Sequence, residues 1–262
     1  MTIVRLDGPM GTELAARGVA TPAPGWSAYA LSTHPEVVAA IHADYARAGA
    51  EIHHTNTFRT QPRVFGASFG ELVRIAVDLA RSVGAGRVAG SMAPIEDCYR
   101  PDLSPPAAVA RADHRALARA LADARVDLIV CETFPHGGEA RIAVEEAVAT
   151  GIETWAALTA GPDTSLMTPA DMEAAARDCA SAGARAVLVS CTAAERTLAY
   201  VERLARVGVP FGAYANAGIP AEAMTPDRYR ALAASWIAAG ATIVGACCGT
   251  RPAHVAALSS SA

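Results

Sequence analysis

The chain has 262 residues, of which 52% are apolar and 18% charged, with a net charge of −4. That balance excludes intrinsic disorder, which is poor in apolar residues and rich in charge, and leaves no basic field for nucleic acid or an anionic membrane. All 22 basic residues are arginine, so Schiff-base and pyridoxal phosphate chemistry, which need a lysine amine, cannot run on the chain's own side chains.

In chain order, short runs of strand type fall at residues 3–7, 51–58, 87–92, 126–133, 154–159, 185–191, 210–216 and 242–247. Between them lie alanine- and arginine-rich segments such as 35–50 and 110–125, whose apolar residues recur at three- and four-residue intervals, as an amphipathic helix requires. Ser104-Pro105, Thr168-Pro169 and Thr225-Pro226 each place a hydroxyl before a proline, the preferred N-cap and first helical position. Gly49, Gly183 and Gly240 follow three of the helical segments in the phrase Ala-Gly-Ala, where glycine accepts the left-handed conformation that ends a helix. Alternating strand and helix predicts a parallel sheet, and eight such units at this length predict a single (β/α)8 TIM-type barrel spanning 1–262. A doubly wound open sheet is the alternative, but LDGPMGTEL does not match its glycine-rich fingerprint.

In a barrel the site is built from the C-terminal ends of the strands. Those ends carry Asp7, Asn56, Glu132, Cys191, Asn216, Cys247 and Cys248. The first residues lack the basic and apolar regions of a signal peptide, and no uncharged apolar run approaches the ~20 residues of a membrane span. A reducing cytoplasm is therefore expected, where clustered thiols point to metal or catalysis more than to bridges. Three thiolates suit Zn2+, which in catalytic sites takes three protein ligands and leaves one position open. Adjacent Cys247 and Cys248 would point to opposite faces of a regular strand, so they can share an ion only if the strand has ended, a turn that Gly245 and Gly249 make easy. A vicinal disulfide, or two small thiols packed as apolar residues, stays open beside the metal. Cys98, Cys131 and Cys179 have no partner at ligand spacing and read as buried thiols.

LDGPMGTEL, CETFP, VSCT, YANAG and GACCGT, read together from about residue 5 to residue 258, resemble the zinc-dependent homocysteine S-methyltransferases. That family includes the S-methylmethionine and betaine enzymes and the homocysteine module of cobalamin-dependent methionine synthase. The resemblance implies a (β/α)8 barrel with zinc held by Cys191, Cys247 and Cys248, and transfer of a methyl group to homocysteine. Asp7 and Glu132 are expected to hold the substrate's α-amino group, since carboxylates best meet a cation in a barrel mouth, and the resemblance puts the same two positions in that role. Their plainer readings are a turn aspartate in Asp-Gly and an ion pair between Glu132 and an arginine. Gly8 would let the backbone approach the substrate carboxylate, and Asn56 and Ser190 could line the mouth. Ser190 departs from the asparagine common in the family. The resemblance also offers Asn216 as an occupant of zinc's fourth position, against a loop-capping role. His53 and His54 face opposite ways on a strand, one of them in the core, and neither is expected to be a ligand. His136 is a loop residue near the mouth.

An activated methyl donor carrying a cation favours aromatic faces. Trp26 and Tyr29 in the first loop, with Phe58 and Phe134 after the second and fourth strands, are the candidates, and Trp26 matches a tryptophan shared by the S-methylmethionine and betaine enzymes. S-methylmethionine or S-adenosylmethionine is the expected donor. YANAGIP looks more like the methionine synthase module, so a methylcorrinoid carried by a separate protein is the alternative. Two other classes stay in view: a non-catalytic zinc- or homocysteine-binding module, and a barrel enzyme whose final Gly-rich loop opens a helix over a phosphate. The chain is expected to be a monomer or small oligomer, since it stops soon after GACCGT.

Overall fold

The computed structural model describes residues 2–84, 86–218 and 224–259; Ile219 and Pro220 of YANAGIP lie outside them. Eight strands follow one another: β1 (Val4–Arg5), β2 (Ile52–His54), β3 (Arg87–Met92), β4 (Leu128–Phe134), β5 (Thr154–Leu158), β6 (Ala186–Ala193), β7 (Phe211–Asn216) and β8 (Ile243–Ala246). All pair in parallel in the order β1-β8-β7-β6-β5-β4-β3-β2. A bridge between Leu6 and Ile52, with the Asp7 amide donating to the Ile52 carbonyl at 3.0 Å, closes the ring. One main helix follows each strand: α1 (Pro35–Arg47), α2 (Phe69–Arg81), α3 (Ala107–Asp123), α4 (Gly137–Val148), α5 (Pro169–Ser181), α6 (Thr197–Leu204), α7 (Pro226–Ala238) and α8 (Pro252–Leu258). The expected (β/α)8 barrel is the fold.

Strand alternation sorts the apolar residues into two cores. Leu6, Ile52, Leu128, Val130, Leu188 and Ile243 fill the inside of the barrel. A larger cluster, with Trp236, Tyr229 and Ile41 among its fully buried members, joins the outer faces of the strands to the helices. The barrel is a packed body beneath the mouth, so chemistry is confined to its upper rim.

Local signals account for most boundaries. Thr168 and Thr225 accept hydrogen bonds from the backbone N–H groups of Asp171 and Arg228, capping α5 and α7. Gly49, Gly183 and Gly240 adopt φ of 91°, 110° and 100°, ending their helices as expected. Ser104 does not cap: α3 starts only at Ala107, after Pro106, and the Ser104 hydroxyl donates to the buried Glu139 carboxylate instead. The second strand is shorter than expected because the chain turns through residues 55–58. Among the described residues no helix is long and apolar enough to cross a membrane.

Candidate active site

A cavity of about 290 Å3 opens at the C-terminal mouth of the barrel, and its wall includes Asp7, Trp26, Glu132, Cys191, Cys247 and Cys248. These residues are scattered over 242 positions of sequence (7 to 248) and meet because strand ends converge there.

Two departures from regular strand geometry aim the side chains. The β6–β7 register shifts between Ser190 and Ala193, and Cys191 lies at φ 45°. The β4–β5 register shifts between Cys131 and Phe134, and Thr133 lies at φ 63°. Left-handed conformations of β-branched or bulky residues are held only where the surroundings enforce them, and bulges re-aim neighbouring side chains. β8 ends at Ala246, one residue before its expected end, so Cys247 and Cys248 both lie beyond the strand, and the chain turns through Gly249 at φ 81°. A Cβ on Gly249 would lie 2.1 Å from the Gly218 carbonyl oxygen. Gly245 serves packing instead: a Cβ there would lie 2.6 Å from the Leu6 Cβ.

The Sγ atoms of Cys191, Cys247 and Cys248 all lie within 4.8 Å of one another. Cys191 and Cys247 are joined in a disulfide between the ends of β6 and β8, with Cα atoms 5.6 Å apart, and Cys248 is a free thiol. The cross-strand pair therefore replaces the vicinal pairing that the sequence leaves open. A disulfide and two thiolates are alternative oxidation states of the same sulfurs, so two-electron reduction of the pair gives two thiols beside that of Cys248. The reduced trio is a soft sulfur donor set with room for an exogenous ligand, which fits zinc. Asn216 sits beside it: its Nδ2 donates to the Cys191 carbonyl at 2.9 Å, while its buried Oδ1 has no hydrogen-bond partner. Asn216 does not line the cavity wall itself.

Two carboxylates line the same cavity. Asp7 is 4% exposed, and its Oδ2 accepts the backbone N–H of His54 at 2.9 Å while its Oδ1 lies 2.7 Å from His54 Nδ1. Glu132 accepts from the Ser91 hydroxyl at Oε1 and from the Tyr214 hydroxyl at Oε2, the latter at 3.0 Å. Among the described residues no arginine pairs with Glu132, so its plainer reading as a structural ion pair falls away. Burial alone would lower the His54 imidazole, but Asp7 and Glu132 outweigh it and push it up to about 9. Gly8 lines the cavity, and a Cβ there would meet the Tyr45 ring at 2.6 Å.

Other expectations resolve unevenly. Asn56 lines the cavity and donates through Nδ2 to the Ser27 carbonyl at 2.8 Å. Ser190 is fully buried below the mouth, with its hydroxyl bound to the Leu158 carbonyl. His136 caps α4 by accepting the Glu139 N–H at 3.1 Å and lies outside the cavity. Of the four aromatic candidates, Trp26 and Phe58 line the cavity, stacked with centroids 6.2 Å apart. Tyr29 packs on Phe65 and Phe134 is fully buried. The Arg59 guanidinium lies 4.4 Å from the Trp26 ring centroid and donates to three backbone carbonyls, bracing that wall. Cys131 and Cys179 are buried in the outer core, but Cys98 lies at the cavity wall, its thiol pushed up to about 12 by burial.

The residues missed by sequence reasoning are His54, Ser91, Tyr99 and Tyr214, all on the cavity wall. Alternation already required one of His53 and His54 to face the barrel; which one is decided by Ile52 facing inward two residues earlier. His53 faces α1 and meets His42 edge to face at 6.4 Å. Asp7, His42 and His53 form a second set of potential ligand atoms within 4.8 Å. Burial lowers both imidazoles, His42 to about 4, so His42 and His53 form a neutral packed pair.

The family model for homocysteine S-methyltransferase matches residues 4–262. The chain is 32% identical to a homocysteine S-methyltransferase of Escherichia coli over 98% of its own length and 94% of the relative's. It is 27% identical to the homocysteine S-methyltransferase YbgG of Bacillus subtilis, over 97% and 92%. Among solved structures it resembles the metallated form of the homocysteine methyltransferase MmuM from Escherichia coli, with a TM-score of 0.84 and 32% identity over 100% of this chain and 97% of that one. MmuM has also been solved in oxidized and apo forms, which match with TM-scores of 0.83 and 0.78.

Proposed function

Because the chain belongs to the homocysteine S-methyltransferase family, we propose that it transfers a methyl group from a small sulfonium donor, S-methylmethionine or S-adenosylmethionine, to the sulfur of homocysteine in a zinc-dependent reaction. The observation that carries this reading is the meeting of three cysteine sulfurs and two buried carboxylates in the lining of one cavity.

Cys191, Cys247 and Cys248, once reduced, would hold the ion. Bound zinc would supply the positive charge that lets an incoming thiol lose its proton at neutral pH. In the same cavity Asp7 and Glu132 receive the α-ammonium of homocysteine, some of their other lone pairs being taken by His54, Ser91 and Tyr214. The substrate is thus held at both ends, which fixes its sulfur in direction as well as place. Methyl transfer is an in-line displacement. The new S–CH3 bond forms on homocysteine as the donor's S–CH3 bond breaks, and that electron pair stays on the donor sulfur, which becomes a neutral thioether. The thiol proton has already left to solvent, so no side chain has to act as a base. Thiolate and sulfonium neutralise each other along this path, and an apolar wall favours that loss of charge.

The stacked Trp26 and Phe58 offer that wall and a π-face for a sulfonium. A cavity of about 290 Å3 suits homocysteine with S-methylmethionine; the adenosyl group of S-adenosylmethionine, like a corrinoid ring, would have to lie outside it. An activity panel on reduced, zinc-loaded protein tests the donor. It pairs homocysteine with S-methylmethionine, S-adenosylmethionine, betaine and methylcobalamin and reads methionine. Turnover with a sulfonium supports the reading. Turnover with methylcobalamin alone moves it to the corrinoid alternative, and binding of zinc and homocysteine without any turnover moves it to a non-catalytic module.

A further inference from the structure

The methyl-transfer scheme gives His54 no task of its own, yet it is the residue that holds both oxygens of the Asp7 carboxylate. It ends β2, points into the barrel, and clasps Asp7 at two points: the backbone N–H to Oδ2 at 2.9 Å and ring Nδ1 to Oδ1 at 2.7 Å. Since a carboxylate only accepts, Nδ1 carries the proton. The other nitrogen, Nε2, is enclosed and has no hydrogen-bond partner. The ring leans on Tyr214 with centroids 5.8 Å apart, and the Tyr214 hydroxyl holds Glu132. One contiguous set of contacts therefore runs from Asp7 through His54 and Tyr214 to Glu132.

We propose that His54 is a positioning residue, which locks the Asp7 carboxylate in the rotation that presents its remaining lone pairs to the α-ammonium of the amino-acid substrate. This rests on the reading that Asp7 binds that ammonium. A carboxylate has about four lone-pair sites; two are used by His54, which leaves others for a ligand in the cavity that Asp7 lines. Without the clasp the carboxylate turns about its terminal torsion, which is broad and nearly two-fold. An acid–base role for His54 does not fit, because the enclosed Nε2 reaches no solvent and sulfur-to-sulfur methyl transfer moves no proton at this wall. The charge environment agrees with the clasp: Asp7 and Glu132 hold the imidazole as a cation, which tempers the negative charge of the two carboxylates.

The test is steady-state kinetics of reduced, zinc-loaded His54→Leu, His54→Asn and His54→Gln beside Asp7→Asn, with metal content and circular dichroism recorded for each. His54→Leu removes the ring donor and is expected to raise KM for homocysteine about ten-fold, the range of one hydrogen bond to a charged group, while kcat changes less than about three-fold. Asparagine places an amide N–H where Nδ1 stands and is expected to stay within about three-fold of the parent KM. Glutamine, whose amide lies where Nε2 stands, is expected to behave like leucine, and supplies the same contrast if the leucine variant does not fold. KM for the methyl donor stays level throughout. The proposal is overturned if His54→Leu, or His54→Gln in its place, leaves KM for homocysteine unchanged, if the loss falls on kcat instead, or if asparagine fails to rescue. Asp7→Asn separates the two levels. If it leaves KM unchanged, the reading of Asp7 itself fails; if it raises KM while the His54 variants do not, only the role of His54 fails.

Discussion

The two walls of the cavity are built by opposite means. On the sulfur wall the backbone does the aiming: a bulge with Cys191 at φ 45° and a turn after Ala246 bring three sulfurs together, and those sulfurs can be covalently joined or free. On the carboxylate wall side-chain hydrogen bonds do the aiming: Asp7 is clasped by His54, and Glu132 is held between Ser91 and Tyr214. On the proposed function these sulfurs would ligate a metal only in their reduced form. An ammonium-binding wall gains by having its acceptors fixed before the ligand arrives. Substitutions should accordingly separate into loss of the reaction on one wall and loss of substrate affinity on the other.

The largest expected effect is on the sulfur wall. Cys247→Ala in reduced protein should lose most of its zinc and reduce kcat/KM by at least about 1,000-fold, since ligand removal forfeits much of the metal's binding free energy; metal analysis and methionine formation check it. On the carboxylate wall Glu132→Gln should keep its zinc and raise KM for homocysteine about ten- to a hundred-fold, the range for a charged hydrogen bond. If Glu132→Gln instead loses zinc, the division between the walls does not hold. Tyr214→Phe removes one neutral donor to Glu132 and should raise the same KM about three- to six-fold.

The smallest effect is on stability. The His54 imidazole is raised from 6.5 to about 9 in the folded chain. Its ion pair with Asp7 therefore contributes fully below pH 6.5, declines as pH rises, and is lost above about 9. Urea midpoints of the parent and His54→Asn, measured from pH 6 to pH 9.5, should show an advantage for the parent that closes across that window. A constant gap would mean that the pair does not titrate there.

Much of this arrangement was legible in the chain. Residues 87–92 were expected as a strand and form β3 from Arg87 to Met92, because β-branched and small residues between a helix-ending glycine and a loop leave little else. Adjacent Cys247 and Cys248 can share an ion only beyond the end of a strand, and β8, expected to run to residue 247, ends at Ala246. The bulges at Thr133 and Cys191 were not legible, since a register shift belongs to two paired strands and leaves no mark in either one. Ser104 failed as a cap for a related reason. Glu139, distant in sequence, competes for its hydroxyl, and the Pro105-Pro106 pair delays the helix to Ala107. His54 escaped because adjacent histidines satisfy alternation either way, and only the inward placement of Ile52 decides between them.

The account stands most directly on zinc X-ray absorption of the reduced protein with and without homocysteine. One zinc per chain with three sulfur neighbours, rising to four when homocysteine is added, is the expected result. A reduced protein that retains no zinc, or whose sulfur count does not change with homocysteine, would contradict it.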